Sequence, residues 1–102
     1  MRMKKVGVTE LEDKVRAGRS ALLRVGATDN PNRRAGEYSQ EYSETSTMYY
    51  AKTSNMKSAE DRLLHMCDKE GKCRDNVQMS SNVPASASRG YVYAIFPYIL
   101  VI

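Results

Sequence analysis

With 102 residues, 16 Lys/Arg against 12 Asp/Glu and a formal net charge of +4, the chain has enough length for one domain and one hydrophobic core, and too little for two. A hydrophobic fraction of 41% beside 27% charged residues is ordinary for a globular protein and excludes wholesale disorder. The charge permits an anionic partner without demanding one.

The charge is unevenly placed. Residues 1–34 hold nine Lys/Arg and four acids, a net of +5, whereas residues 35–102 hold seven and eight, a net of −1. A basic end favours a polyanion, because Lys and Arg that meet phosphates release counterions. The same side chains would equally serve as a solvated surface. The opening MRMKKVGV is basic but has too little apolar sequence for a signal-peptide core. The closing IFPYILVI is too short to span a bilayer and is interrupted by Pro97. The expectation is an intracellular protein without a membrane segment.

In chain order, Met3 to Thr9 reads as a first strand with Val6 and Val8 on one face. Leu11 to Val15 reads as a helical turn, and Ala17 to Ser20 as a loop. Ser20 to Ala27, rich in Leu and Val, reads as a buried strand. Thr28-Asp29-Asn30-Pro31 is a turn and helix start, with Asp29 or Asn30 capping and Pro31 near the first helical position. The helix then runs from Asn32 to about Tyr42, and its inward face has to be built from Ala35, Tyr38 and Tyr42.

Thr45 to Thr53, β-branched and aromatic, reads as a strand. Ser54 or Asn55 caps the clearest helix in the chain. Its apolar stripe is Met56, Ala59, Leu63, Met66 and Cys67, and Gly71 ends it. Arg74 to Arg89, with Pro84 and the run ASAS, reads as a loop, and Gly90 to Phe96 as a last strand. The expected order is strand, strand, helix, strand, helix, long loop, strand. That implies an α/β domain over residues 1–102, a small mostly antiparallel sheet flanked by helices. Ile99-Leu100-Val101-Ile102 would be a hazardous exposed edge, so it is expected to be buried in the sheet or in a dimer.

Cys67 and Cys73 flank DKEGK. The spacing could close a disulfide, but no secretory context supports one. With His65 the two cysteines give three soft ligands and no fourth. Reduced thiols are expected.

Residues 24–38, RVGATDNPNRRAGEY, carry a resemblance. Arg24-Val25-Gly26, Thr28, Pro31, Arg33-Arg34 and Glu37-Tyr38 look like the second half of the GIY-YIG nuclease signature. In that family a strand ending in Tyr-Ile/Val-Gly leads through a Thr-containing turn into a helix with a catalytic arginine. Arg34 stands at the matching distance. Ala59-Glu60-Asp61-Arg62-Leu63-Leu64 is similar to the segment carrying the family's glutamate, and Asn76 to its structural asparagine. The likeness spans roughly residues 6–76. It departs from the pattern at both signature tyrosines: Arg24 stands for one, and Val6-Gly7-Val8 is the best candidate for the other triplet.

The resemblance implies a GIY-YIG-like fold and a metal-dependent endonuclease that cuts DNA rather than RNA. Arg34, Glu60 and Tyr38 would be catalytic, and Arg24 and Arg33 would bind nucleic acid. Asn76 would be structural, and Glu60 would hold Mg²⁺ or Mn²⁺. The residue types suit that chemistry. Arginine pairs with two phosphate oxygens, a carboxylate suits a hard cation, and a phenol can relay a proton. Arg34 and Glu60 are expected to converge over one sheet face. The alternative is a domain without chemistry that keeps binding to nucleic acid or to a protein. A standalone copy would cut both strands only as a homodimer or in a larger complex.

Overall fold

The computed structural model describes residues 1–68, 75–76, 83–84 and 88–101. Its elements in chain order are β1 (Arg2–Lys5), α1 (Val8–Ala17), β2 (Arg24–Thr28), α2 (Pro31–Tyr38), β3 (Thr47–Thr53), α3 (Met56–Asp68) and β4 (Gly90–Phe96). The four strands form one sheet in the order β1-β3-β4-β2. β1 runs parallel to β3, while β4 is antiparallel to both β3 and β2, which makes the sheet mixed. The α/β class and the helix-flanked small sheet are therefore as expected, with one parallel pair and one extra helix.

The extra helix is α1. Val8, Leu11 and Val15 lie on one helical stripe, and Leu11 and Val15 are fully buried. Reading Val6 and Val8 as strand alternation ran β1 too far. The strand ends at Lys5, and Leu11 N–H already bonds the Gly7 carbonyl. β2 is shorter than expected for a related reason. Leu22 and Leu23 are buried, but Leu22 N–H turns back to the carbonyl of Gly18.

Side chains of the strands alternate between two faces. On the first, Val25, Tyr49, Ala51, Val92, Ala94 and Phe96 meet Leu11 and Val15 of α1 and Ala59, Leu63, Leu64 and Cys67 of α3. Arg62 of α3 straddles the buried Glu12 of α1, with Nε and a terminal nitrogen 3.0 and 3.1 Å from its two oxygens. On the second face, Met48, Tyr93 and Ile95 meet Leu23, Ala35 of α2 and Tyr42.

Side-chain caps set the starts of α2 and α3. Asn30 Oδ1 accepts the Arg33 N–H at 3.0 Å, with Pro31 in the first turn, and Asn55 Oδ1 accepts the Ser58 N–H at 3.1 Å. α2 ends at Tyr38 rather than Tyr42. Ser39 Oγ donates to the Gly36 carbonyl, and Tyr42 continues only as a turn, its N–H bonded to the Tyr38 carbonyl.

Three further expectations change. Ile99 to Val101 form no strand: β4 is already central, Leu100 packs on the first face with its N–H bonded to the Tyr49 hydroxyl at 3.0 Å, and Val101 is exposed. Cys67, expected as a reduced thiol, is disulfide-bonded, which removes it from any metal-ligand set. Cys73, Gly71 and most of Arg74–Arg89 fall outside the described residues. Finally, α2 and α3 pack on opposite faces of the sheet, so Arg34 and Glu60 do not converge over one face.

Candidate functional site

β2 is an edge strand, and its face toward α2 presents Arg24, Gly26 and Thr28. Gly26 is paired with Tyr93 of β4, and a Cβ at position 26 would collide with the Tyr93 hydroxyl. A glycine is required here because the phenol crosses directly over the strand. The crossing places Tyr93 Oη 2.9 Å from Tyr38 Oη of α2. The rings of Tyr38 and Tyr93 are 6.0 Å apart and tilted, and the Tyr42 ring lies 5.8 Å from Tyr38 on its other side.

Two arginines flank this pair. The Arg24 guanidinium carbon sits 4.8 Å from the centre of the Tyr38 ring, a cation–π contact. Arg34, one turn before Tyr38 on the same helix, acts on both phenols. Its Nε lies 3.1 Å from Glu37, an ion pair without an aligned hydrogen bond, since this buried nitrogen has no properly directed acceptor. Arg24 is 3.6 Å from Glu41 and donates to the Asp75 carbonyl at 3.0 Å. Glu37 and Glu41 are more than half-exposed or nearly so, so these pairs are weak tethers that a stronger anion can replace.

The electrostatics separate the three phenols. For Tyr38, burial alone would raise the pKa, but the Tyr93 hydroxyl and the Arg24 and Arg34 guanidiniums outweigh it and pull the phenol below its ordinary value. Tyr93 goes the other way: it is pushed well up by burial and by its bond to Tyr38. Tyr42 also rises, through burial and the 2.7 Å hydrogen bond it donates to Asp75. Of the three, Tyr38 is the phenol that gives up its proton most readily. Both arginines hold their charge more firmly than usual, since the phenols more than offset the cost of burial.

The segment at 75–76 closes the open side of β2. Asp75 N–H bonds the Leu23 carbonyl at 2.8 Å. The Asn76 amide then pairs with both backbone groups of Val25, accepting at 2.9 Å and donating at 3.1 Å. An edge strand is thereby capped by a side chain that mimics the next strand.

The expected site residues divide accordingly. Arg24, Arg34 and Tyr38 come together. Arg33 is exposed, tied to Asp29 at 2.9 Å and outside the cluster. Glu60 lies on α3, which covers the opposite face. Tyr93 is the residue sequence reasoning missed. Its signals were a glycine in β2 and the alternating Tyr91 and Tyr93 of β4, but only strand pairing connects the two.

Glu60 was expected to hold Mg²⁺ or Mn²⁺. Among the described residues, no three His, Cys, Asp or Glu side chains are close enough together to hold an ion. The carboxylates at the tyrosine cluster, Glu37, Glu41 and Asp75, are each engaged by an arginine or a tyrosine. This donor set does not fit a resident divalent cation. A cavity of about 680 Å³ lies elsewhere, along Asn55, Asp61, Arg62 and His65 on the outer side of α3. It shares no residue with the tyrosine–arginine cluster, where two guanidiniums approach a hydrogen-bonded phenol pair, so the cluster is the better candidate. Among the described residues, no helix is long and apolar enough to cross a membrane. No family model, curated protein or solved structure matches the chain.

Proposed function

We propose that this chain is a nucleic-acid-binding domain of GIY-YIG-like kind, in which Arg24 and Arg34 clamp a phosphodiester above the Tyr38–Tyr93 pair. One observation carries the reading: guanidiniums from two different elements meet at a single hydrogen-bonded phenol. Side chains that merely solubilise a surface do not converge in this way. A planar guanidinium grips two phosphate oxygens, and exchange of an exposed glutamate for a phosphate strengthens the hydrogen bonds it makes. The basic first third of the chain adds long-range attraction for the same partner. DNA is the first choice of partner.

A second reading, phosphodiester cleavage, is favoured by the acidified Tyr38. A phenol near two cations can take the proton of an attacking water, and the arginines would offset charge on the phosphoryl oxygens.

Binding is tested with a labelled DNA by anisotropy across a salt series. Arg24→Ala and Arg34→Ala are each expected to weaken binding and to reduce the slope of log K against log salt by about 1. Unchanged affinity and slope in both variants would refute the clamp. Plasmid incubated with Mg²⁺ or Mn²⁺ addresses cleavage. Nicking abolished by Tyr38→Phe supports the second reading. Nicking that depends on Glu60 but not on Tyr38 relocates the chemistry to the other side of the sheet.

A further inference from the structure

α2 covers only the β2 side of the second face. Beyond it, Tyr50 of β3 and Tyr91 of β4 stand half-buried, their rings 5.9 Å apart in an edge-on pair. The pairing register puts exposed lysines at their sides: Lys5 beside Tyr50 and Lys52 beside Tyr91. On the same face, one strand further over and four positions along from Tyr91, lies Arg24 opposite Ile95, with Arg34 on the helix above. The eleven strand positions that face this way hold three cations and no acid. Of the acids near the clamp, Glu37 and Glu41 belong to α2 and the turn after it and are each paired with one of the two arginines, and the Asp75 carboxylate accepts from the Tyr42 hydroxyl.

We infer that Tyr50 and Tyr91 form a base-stacking platform, and that the nucleic acid this protein prefers is single-stranded. The inference rests on the phosphate clamp proposed above and specifies its substrate class. A strand whose phosphate is held at Arg24 and Arg34 would run diagonally across the face, past Tyr93, and lay nucleotides two or more steps away over Tyr50 and Tyr91, with Lys52 and Lys5 tracking the backbone. Partly exposed rings flanked by cations suit this task, because every base offers a π-face and stacking needs no hydrogen-bond readout. A duplex keeps its bases stacked on each other and offers the rings nothing.

The test compares three labelled probes by anisotropy: an oligothymidylate of about 12 nucleotides, a strand of the same length with abasic sugars, and a duplex of the same length. The wild-type protein is expected to bind the oligothymidylate at least tenfold more tightly than the abasic strand, and more tightly than the duplex. Tyr50→Ala and Tyr91→Ala should each lose about tenfold for the oligothymidylate and almost nothing for the abasic strand. Tyr50→Phe and Tyr91→Phe keep the ring and should bind like the wild type, which covers the case in which an alanine variant fails to fold.

Equal affinity for the oligothymidylate and abasic strands, or tighter binding to the duplex, overturns the platform. If the arginine variants weaken every probe while both phenylalanine and alanine variants are silent, the platform falls and the clamp stands. If the tyrosine variants lose affinity and Arg24→Ala and Arg34→Ala do not, the clamp falls instead.

Discussion

The two faces of the sheet are built from the same four strands and serve opposite purposes. The first is sealed by α1 and α3 with aliphatic side chains and the Tyr49–Phe96 edge-on pair. The second is roofed by one eight-residue helix, and it carries the Tyr38, Tyr42 and Tyr93 hydroxyls with two arginines among them. A close-packed apolar face supplies stability and has no group that can meet a ligand. A half-roofed face that sets phenols beside partly exposed guanidiniums gives up apolar packing and gathers charge instead.

Three changes would break or sharpen that contrast, taken from the largest expected effect to the smallest. Leu63 is 1% exposed at the centre of the first face. Leu63→Ala should cost about 2–5 kcal/mol in urea unfolding and leave DNA affinity per folded molecule unchanged. A selective loss of affinity at full stability would blur the division between the faces.

Gly26→Ala strikes the second face. The added methyl has to displace Tyr93, at a cost of about 1–3 kcal/mol for an overpacked site, and it should separate Tyr93 from Tyr38. Ultraviolet titration of the tyrosines reads this as a rise in the pKa of the most acidic phenol. A variant with wild-type stability and titration would show that the close approach has no consequence.

The smallest effect is a pH dependence. Tyr42 and Tyr93 have raised pKa values in the folded state, so they add stability that is fully present below the unfolded tyrosine pKa of about 10 and lost as pH rises through their folded values. Tyr38 has a lowered pKa and works in the other direction, its contribution growing as pH rises from its folded value toward about 10. The urea midpoint should therefore fall above about pH 10, and Tyr42→Phe should flatten that fall. An unaltered alkaline slope in Tyr42→Phe would remove Tyr42 from the account.

Local signals were readable along the chain wherever they were decided by neighbours in sequence. β4 was found to the residue, α3 was found from its stripe and its Asn55 cap, and α2 began where Asn30 and Pro31 said it should. α1 was missed because two valines two apart fit a strand as well as a helix, and the Leu11–Val15 half of the stripe was taken for a single turn. Arg24, Arg34 and Tyr38 stand out in the sequence through the resemblance of residues 24–38 to the GIY-YIG signature.

What the sequence determined by itself was the α/β class and most elements, since capping, periodicity and helix spacing act over a few residues. Only the tertiary structure decided that α2 and α3 take opposite faces, that Cys67 is bonded and that Tyr93 crosses Gly26 to reach Tyr38. Those outcomes depend on which strand lies next to which. Strand order is set by the burial of all the apolar faces together, and no short window of residues contains that information.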